Sequence, residues 1–195
     1  MLKSKEEISK FDLTNQIDKK IINAFMVLYV DRPIEKISIK MITDQAGLNR
    51  GTFYLHYKDI YDLLEKVESR FYNISKIIAI NTVDALFNKK ILENALPKIK
   101  FYESNLEHLK ILLCIDGKSN LNLIMKNELK KSIVSKCQNN ILENTKLNEY
   151  ALEYITSAQV ATIIHWIRND MEVPLYKISG LMQDLATNGA LRYFE

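Results

Sequence analysis

The residues from Ser38 to Tyr57 constrain the fold more than any other stretch of the chain. Ser38 is suited to cap a helix, and Ile39, Ile42 and Ala46 then recur at three- and four-residue steps that turn one face inward. Gly47 supplies a left-handed turn, which a residue with a Cβ enters only at a cost. Leu48 plugs the corner. Asn49 caps a second helix, which runs to about Leu55. Two short helices held at an angle by a glycine turn predict a helix-turn-helix over about residues 37–56. Its second helix opens with small, polar and cationic groups suited to the DNA major groove.

The rest of the 195-residue chain reads as helical. Five glycines and three prolines mark few turns, and 47% hydrophobic residues suffice for a packed core. A first helix is expected from Asp12 or Thr14, with Ile17, Ile21, Ala24, Phe25 and Leu28 as its stripe and Arg32-Pro33 as its end. The residues before it read as a charged arm. A longer helix starts at Lys58, with Tyr61, Leu64, Val67 or Glu68, and Phe71 inward, and further helices are expected over 75–88, 91–104 and 105–113. A long amphipathic helix covers 119–143. From Tyr150 to Arg168 apolar residues cover nearly the whole circumference, so this helix should be buried on all sides and form a subunit interface as well as a core. A last helix runs from Leu175 to Leu191.

Net charge is only +3, yet Lys36, Lys40, Arg50 and Lys58 crowd around the motif against Asp44 alone. Two cysteines, Cys114 and Cys137, make no disulfide framework and no metal-ligand spacing. His108 and His165 have no ligand partner three or four residues away. No metal, cofactor or enzymatic activity is expected. The polar N-terminus lacks a signal core, and no apolar run spans a bilayer, so the expected location is the cytoplasm, without membrane association.

Residues 14–64 resemble the DNA-binding domain of the TetR/AcrR family of bacterial transcriptional regulators. The resemblance rests on Ser38, Ala46-Gly47-Leu48-Asn49, Gly51-Thr52, Phe53-Tyr54-Leu55-His56-Tyr57 and Asp62-Leu63-Leu64. The block from Tyr154 through Trp166 to Pro174 is similar to the C-terminal domain of the DhaS-like branch of that family. The family usually places a phosphate-contacting lysine where this chain has Ile60, so that role passes to Lys58, and the departure implies either weaker non-specific binding or compensation by the arm lysines Lys3, Lys5 and Lys10.

These residues suit DNA for physical reasons. Gly51 lets the backbone approach base edges, and Thr52 offers a hydroxyl or a methyl. Arg50 can present a two-pronged donor to guanine, and Leu55 can touch a thymine methyl. Tyr54 and His56 suit phosphates, whereas Phe53 and Tyr57 suit the core. Ser38, Lys40 and Lys58 sit where helix N-termini favour phosphate, and Thr43 is a further candidate.

The resulting expectation is an all-α homodimer. Residues 1–57 form a three-helix DNA-binding domain, and 58–195 form a helical ligand-binding and dimerisation domain. The resemblance implies an intersubunit four-helix bundle, with Ile155, Ala158, Ile163, Trp166, Ile167, Leu181 and Leu185 as candidate dimer residues. Phe101, Tyr102, Leu109, Leu112, Met125 and Tyr154 are candidates for a pocket that takes an apolar small-molecule effector. The implied function is a repressor released by that effector from a near-palindromic double-stranded operator, with activation also known in the DhaS-like branch. Two alternatives stand beside it. One is a protein-interaction or coactivator module that kept the fold with weak or no DNA binding, and the other is a small-molecule-binding or catalytic helical protein.

Overall fold

The computed structural model describes residues 15–88, 95–115, 117–136 and 146–189. These residues fold into helices α1 (Gln16–Asp31), α2 (Ile39–Ala46), α3 (Arg50–His56), α4 (Ile60–Asn88) and α5 (Ala95–Ser104). Helices α6 (Leu106–Cys114), α7 (Leu121–Lys136), α8 (Lys146–Arg168) and α9 (Leu175–Asn188) follow. A 3-10 turn, Ile34–Lys36, precedes α2. The fold is all-α among the described residues. The expected arm, with Asp12, Thr14 and its lysines, lies outside them, as do Cys137 and Leu191.

The first helix is capped not by Asp12 or Thr14 but by Asn15, whose Oδ1 accepts from the Ile17 N–H at 2.9 Å. Its stripe is as expected: Ile21, Ala24 and Phe25 are buried, and Ile17 and Leu28 pack beside them. The connecting helix starts at Ile60, two residues late, because Asp59 accepts from the N–H groups of Tyr61 and Asp62, each at 2.8 Å. It is also one continuous 29-residue helix, so the expected separate helix over 75–88 is part of it. Its inner face is Leu63, Val67, Phe71 and Ile74, while Tyr61 points to solvent.

One buried cluster joins the N-terminal helices to the rest of the chain. Phe25 and Ile42 share it with Phe71, Leu112 and Ile167, with no break at residues 57–58. Hydrogen bonds reinforce that junction: the Tyr29 hydroxyl donates to the Lys118 carbonyl at 2.8 Å, and Lys118 Nζ donates to the Arg32 carbonyl at 2.8 Å. Helices α4 and α7 form the most extensive helix pair. Glu153 on α8 accepts from Lys126 and Lys130 on α7, which holds its carboxyl down at about 2.

Helix α8 is not buried all round. Thr156, Gln159, Val160, Trp166 and Ile167 are buried, but Tyr150, Tyr154, Ala158, Ala161 and His165 face solvent. Within a single subunit the burial expected on all sides is met on one face only, and the expected subunit interface concerns the other face.

Candidate nucleic-acid interface and interior cavity

The motif forms as its residues dictate. The Ser38 Oγ accepts from the Met41 N–H at 3.3 Å. Gly47 adopts φ 65°, ψ 38°, and its neighbour Leu48 donates to the Thr43 carbonyl at 2.9 Å, which closes the end of α2. Asn49 Oδ1 accepts from the Thr52 N–H at 2.8 Å and from its hydroxyl at 3.1 Å. A Cβ on Gly51 would stand 3.2 Å from that same Oδ1, so glycine here also spares the cap.

Helix α3 has two faces. Arg50, Gly51, Tyr54 and Leu55 are exposed at one-turn spacing, Leu55 at 83%, while Phe53 and Tyr57 are buried. A protruding leucine beside an exposed tyrosine and arginine is costly to leave in water and is suited to a partner surface. Lys40 and Lys58 are exposed nearby, Ser38 is spent partly on its cap, and Thr52 is half-buried. Thr43 is corrected: it is only 2% exposed, and its hydroxyl donates to the carbonyls of Ile39 and Lys40, so it faces the core and not a duplex. Ile60, which replaces the expected lysine, packs against the core.

Sequence reasoning missed the clamp that orients α3. Asp18 on α1 accepts from the Tyr57 hydroxyl at 3.1 Å and lies 2.8 Å from His56 Nδ1. Burial and the Asp18 charge push the Tyr57 phenol far above its ordinary pKa, so it stays a neutral donor. Lys66 on α4 donates to the His56 carbonyl at 3.0 Å, pairs with Asp62 at 3.0 Å, and lies 5.0 Å over the Tyr57 ring. The C-terminal end of α3 is thus tied to α1 and α4. One nitrogen of His56 is committed to that clamp and not to a phosphate. The only sequence hint was an acidic residue in the first turn of α1, which reads equally as a helix-dipole partner.

Between α4, α5, α6, α7, α8 and α9 lies an apolar cavity that opens to solvent. Phe101, Tyr102, Leu109 and Met125 line it as expected. Leu112 and Tyr154 are corrected: Leu112 is packed in the main core, and Tyr154 is 73% exposed on the outer face of α8. Ile163, expected at a dimer interface, lines the cavity instead. Trp166 and Ile167 are also corrected, because both are buried within the subunit. The Trp166 Nε1–H donates to the Val173 carbonyl at 2.6 Å, and its ring meets Tyr102 edge-on at 5.3 Å. Ile155, Leu181 and Leu185 are half-buried and Ala158 is exposed.

Three polar groups in the cavity were not foreseen. Lys98 Nζ donates to Thr82 Oγ1 at 3.0 Å, and burial pulls its ammonium down to about 8. Gln159 Nε2 and Gln183 Oε1 are buried without a hydrogen-bond partner among the described residues. Among the described residues no cluster of His, Cys, Asp and Glu could hold a metal ion, and no helix is long and apolar enough to cross a membrane.

Comparison with known proteins gives two family matches. Residues 21–67 match the family described as bacterial regulatory proteins, tetR family, and residues 90–188 match a transcriptional regulator C-terminal region. The second match alone spans more than half of the chain. The chain is similar to the uncharacterized HTH-type transcriptional regulator YxbF of Bacillus subtilis (strain 168), at 25% identity over 99 residues. That similarity covers 49% of this chain but only 26% of the relative's length. Among solved structures it resembles the dihydroxyacetone kinase operon activator DhaS, at 18% identity and TM-score 0.47, over 88% of this chain and 94% of that one. It also resembles the transcriptional regulator FadR from Bacillus subtilis in complex with stearoyl-CoA, at 20% identity and TM-score 0.43, over 88% and 98% of the two chains.

Proposed function

The chain belongs to the TetR family of bacterial regulatory proteins, and from that premise we propose that it is a sequence-specific DNA-binding transcriptional regulator. It acts as a homodimer on a near-palindromic operator and leaves it when a small molecule fills the interior cavity. The observation that carries the reading is the exposed face of α3. Arg50, Gly51, Tyr54 and Leu55 are presented together while Phe53, Tyr57 and Asp18 fix the helix from behind. Arg50 reads guanine, Leu55 meets a thymine methyl, and Tyr54, Lys40 and Lys58 set register on phosphates.

Dimerisation has a physical motive. Leu147, Ala151, Tyr154, Ala158, Ala161 and His165 recur at alternating four- and three-residue steps along α8, and all six are exposed. Such a stripe of small residues and one large ring suits close packing against a second helix. Ile155, Leu181 and Leu185 flank it half-buried. Two α3 helices in one dimer would then enter successive major grooves, about 34–36 Å apart for half-sites one turn apart.

Effector release follows from α4. Its Leu63 and Val67 pack under the DNA-reading helices, and its Phe71, Ser75, Ala79 and Thr82 face the cavity. A ligand that fits the cavity in only one setting of α4 shifts the spacing of the two recognition helices, whereas one that fits both settings equally shifts nothing. The test is selection of duplexes from a random library by the full-length protein. A near-palindromic winner is expected, and the absence of any enriched sequence would refute the reading.

A further inference from the structure

We infer that the cavity takes an amphipathic monocarboxylate, its acid head seated between Lys98 and Gln159 and its apolar body along the Phe101 and Met125 side. The inference rests on the proposal that the cavity is the effector site and specifies the ligand's chemistry. An apolar cavity alone would suit any greasy molecule. This one holds a largely buried ammonium that, among the described residues, has no carboxylate partner. Thr82 satisfies one of its three N–H groups and leaves the charge uncompensated. Burying a lone cation is expensive, and a ligand carrying one negative charge removes that expense.

Gln159 points to the same chemistry independently. It is 6% exposed, and its Nε2 is a buried donor without an acceptor among the described residues. Buried donors are almost always satisfied, so an orphan at a cavity wall marks where a ligand acceptor belongs. One cation and one donor suit the two oxygens of a carboxylate. A phosphate dianion would bring a second charge with no second cation lining the cavity among the described residues. Gln183 adds a buried acceptor without a donor among the described residues, so a hydroxyl on the ligand's body would also find a partner.

The test uses octanoate, octanol and octylamine as matched probes on the full-length protein. The chain's single tryptophan is a built-in reporter, because Trp166 meets the cavity-lining Tyr102. Trp166 fluorescence, backed by calorimetry, should show octanoate binding at least about tenfold tighter than octanol, with octylamine weakest. Lys98→Met should remove that preference, and Lys98→Arg should keep much of it. Gln159→Leu should weaken octanoate alone. Thermal melting of each variant without ligand establishes that it is folded. Equal affinity for the three probes, loss of all three together in folded Lys98→Met, or no octanoate binding at millimolar concentration would each overturn the inference. If octanoate binds with the stated selectivity but leaves DNA bound, the head-group inference stands and effector release falls.

Discussion

Replacing Lys98 by methionine should stabilise the ligand-free protein at neutral pH. Burial lowers the ammonium from 10.5 to about 8, and each unit corresponds to about 1.4 kcal/mol, so the buried charge costs about 3 kcal/mol. Methionine has similar length and no charge. The substitution strands the Thr82 hydroxyl, which offsets about 1 kcal/mol and leaves a net gain of about 2 kcal/mol. The pH dependence identifies the cause. Below about pH 8 both folded and unfolded lysine are protonated and the whole cost is present. Between about 8 and 10.5 the unfolded chain holds a proton that the folded chain has lost, so the wild type gains stability as pH rises. The advantage of the variant should therefore be largest at pH 7 and shrink by roughly 2 kcal/mol by pH 9.5. Urea unfolding at both pH values, at one fixed protein concentration, measures this. A variant less stable than the wild type at pH 7, or a difference independent of pH, would refute the reasoning.

The clamp on α3 makes a second prediction: Asp18→Ala should lower stability by about 2 kcal/mol, read by thermal melting, because it leaves the buried Tyr57 hydroxyl without its charged acceptor. Operator affinity should fall with it, because Asp18 holds the C-terminal end of α3 through Tyr57 and His56. Lys58→Ala should reduce the slope of log affinity against log salt by about one, whereas Thr43→Val, at a buried site, should leave the slope unchanged in anisotropy titrations. Gly47→Ala should cost about 1 kcal/mol in the same melts, since its φ of 65° is left-handed and nothing crowds the site. Ala158→Arg, on the exposed stripe of α8, should shift the species seen by sedimentation toward monomer while the monomer stays helical.

Local chemistry was legible where a side chain acts on its own neighbourhood. Ser38, Gly47 and Asn49 each cap or turn the chain through atoms within a few residues, so their spacing alone located α2 and α3. What needed three dimensions was less visible. Thr43 looked like a candidate DNA contact because its polarity can be read, but its inward direction is set by the phase of an eight-residue helix. Asp18 and Lys66 reach α3 from 39 and 10 residues away, and no periodicity announces such a pairing. Trp166 reads as an interface residue in an apolar helix, but it is consumed by Tyr102 and the Val173 carbonyl inside the subunit. Lys98 follows Leu96 and Pro97 without any motif, and its burial arises only when α5 closes over α4 and α9.

The most direct test of the central claim is the affinity of wild type and Arg50→Ala for the selected duplex and for a scrambled duplex, across a range of salt. The account predicts that wild-type affinity falls steeply with salt on both duplexes. It also predicts that the preference for the selected duplex drops by about tenfold or more in Arg50→Ala, the loss of one bidentate base contact worth about 1–3 kcal/mol. Equal affinity for the two duplexes in the wild type, or a preference untouched by Arg50→Ala together with Tyr54→Ala, would contradict it.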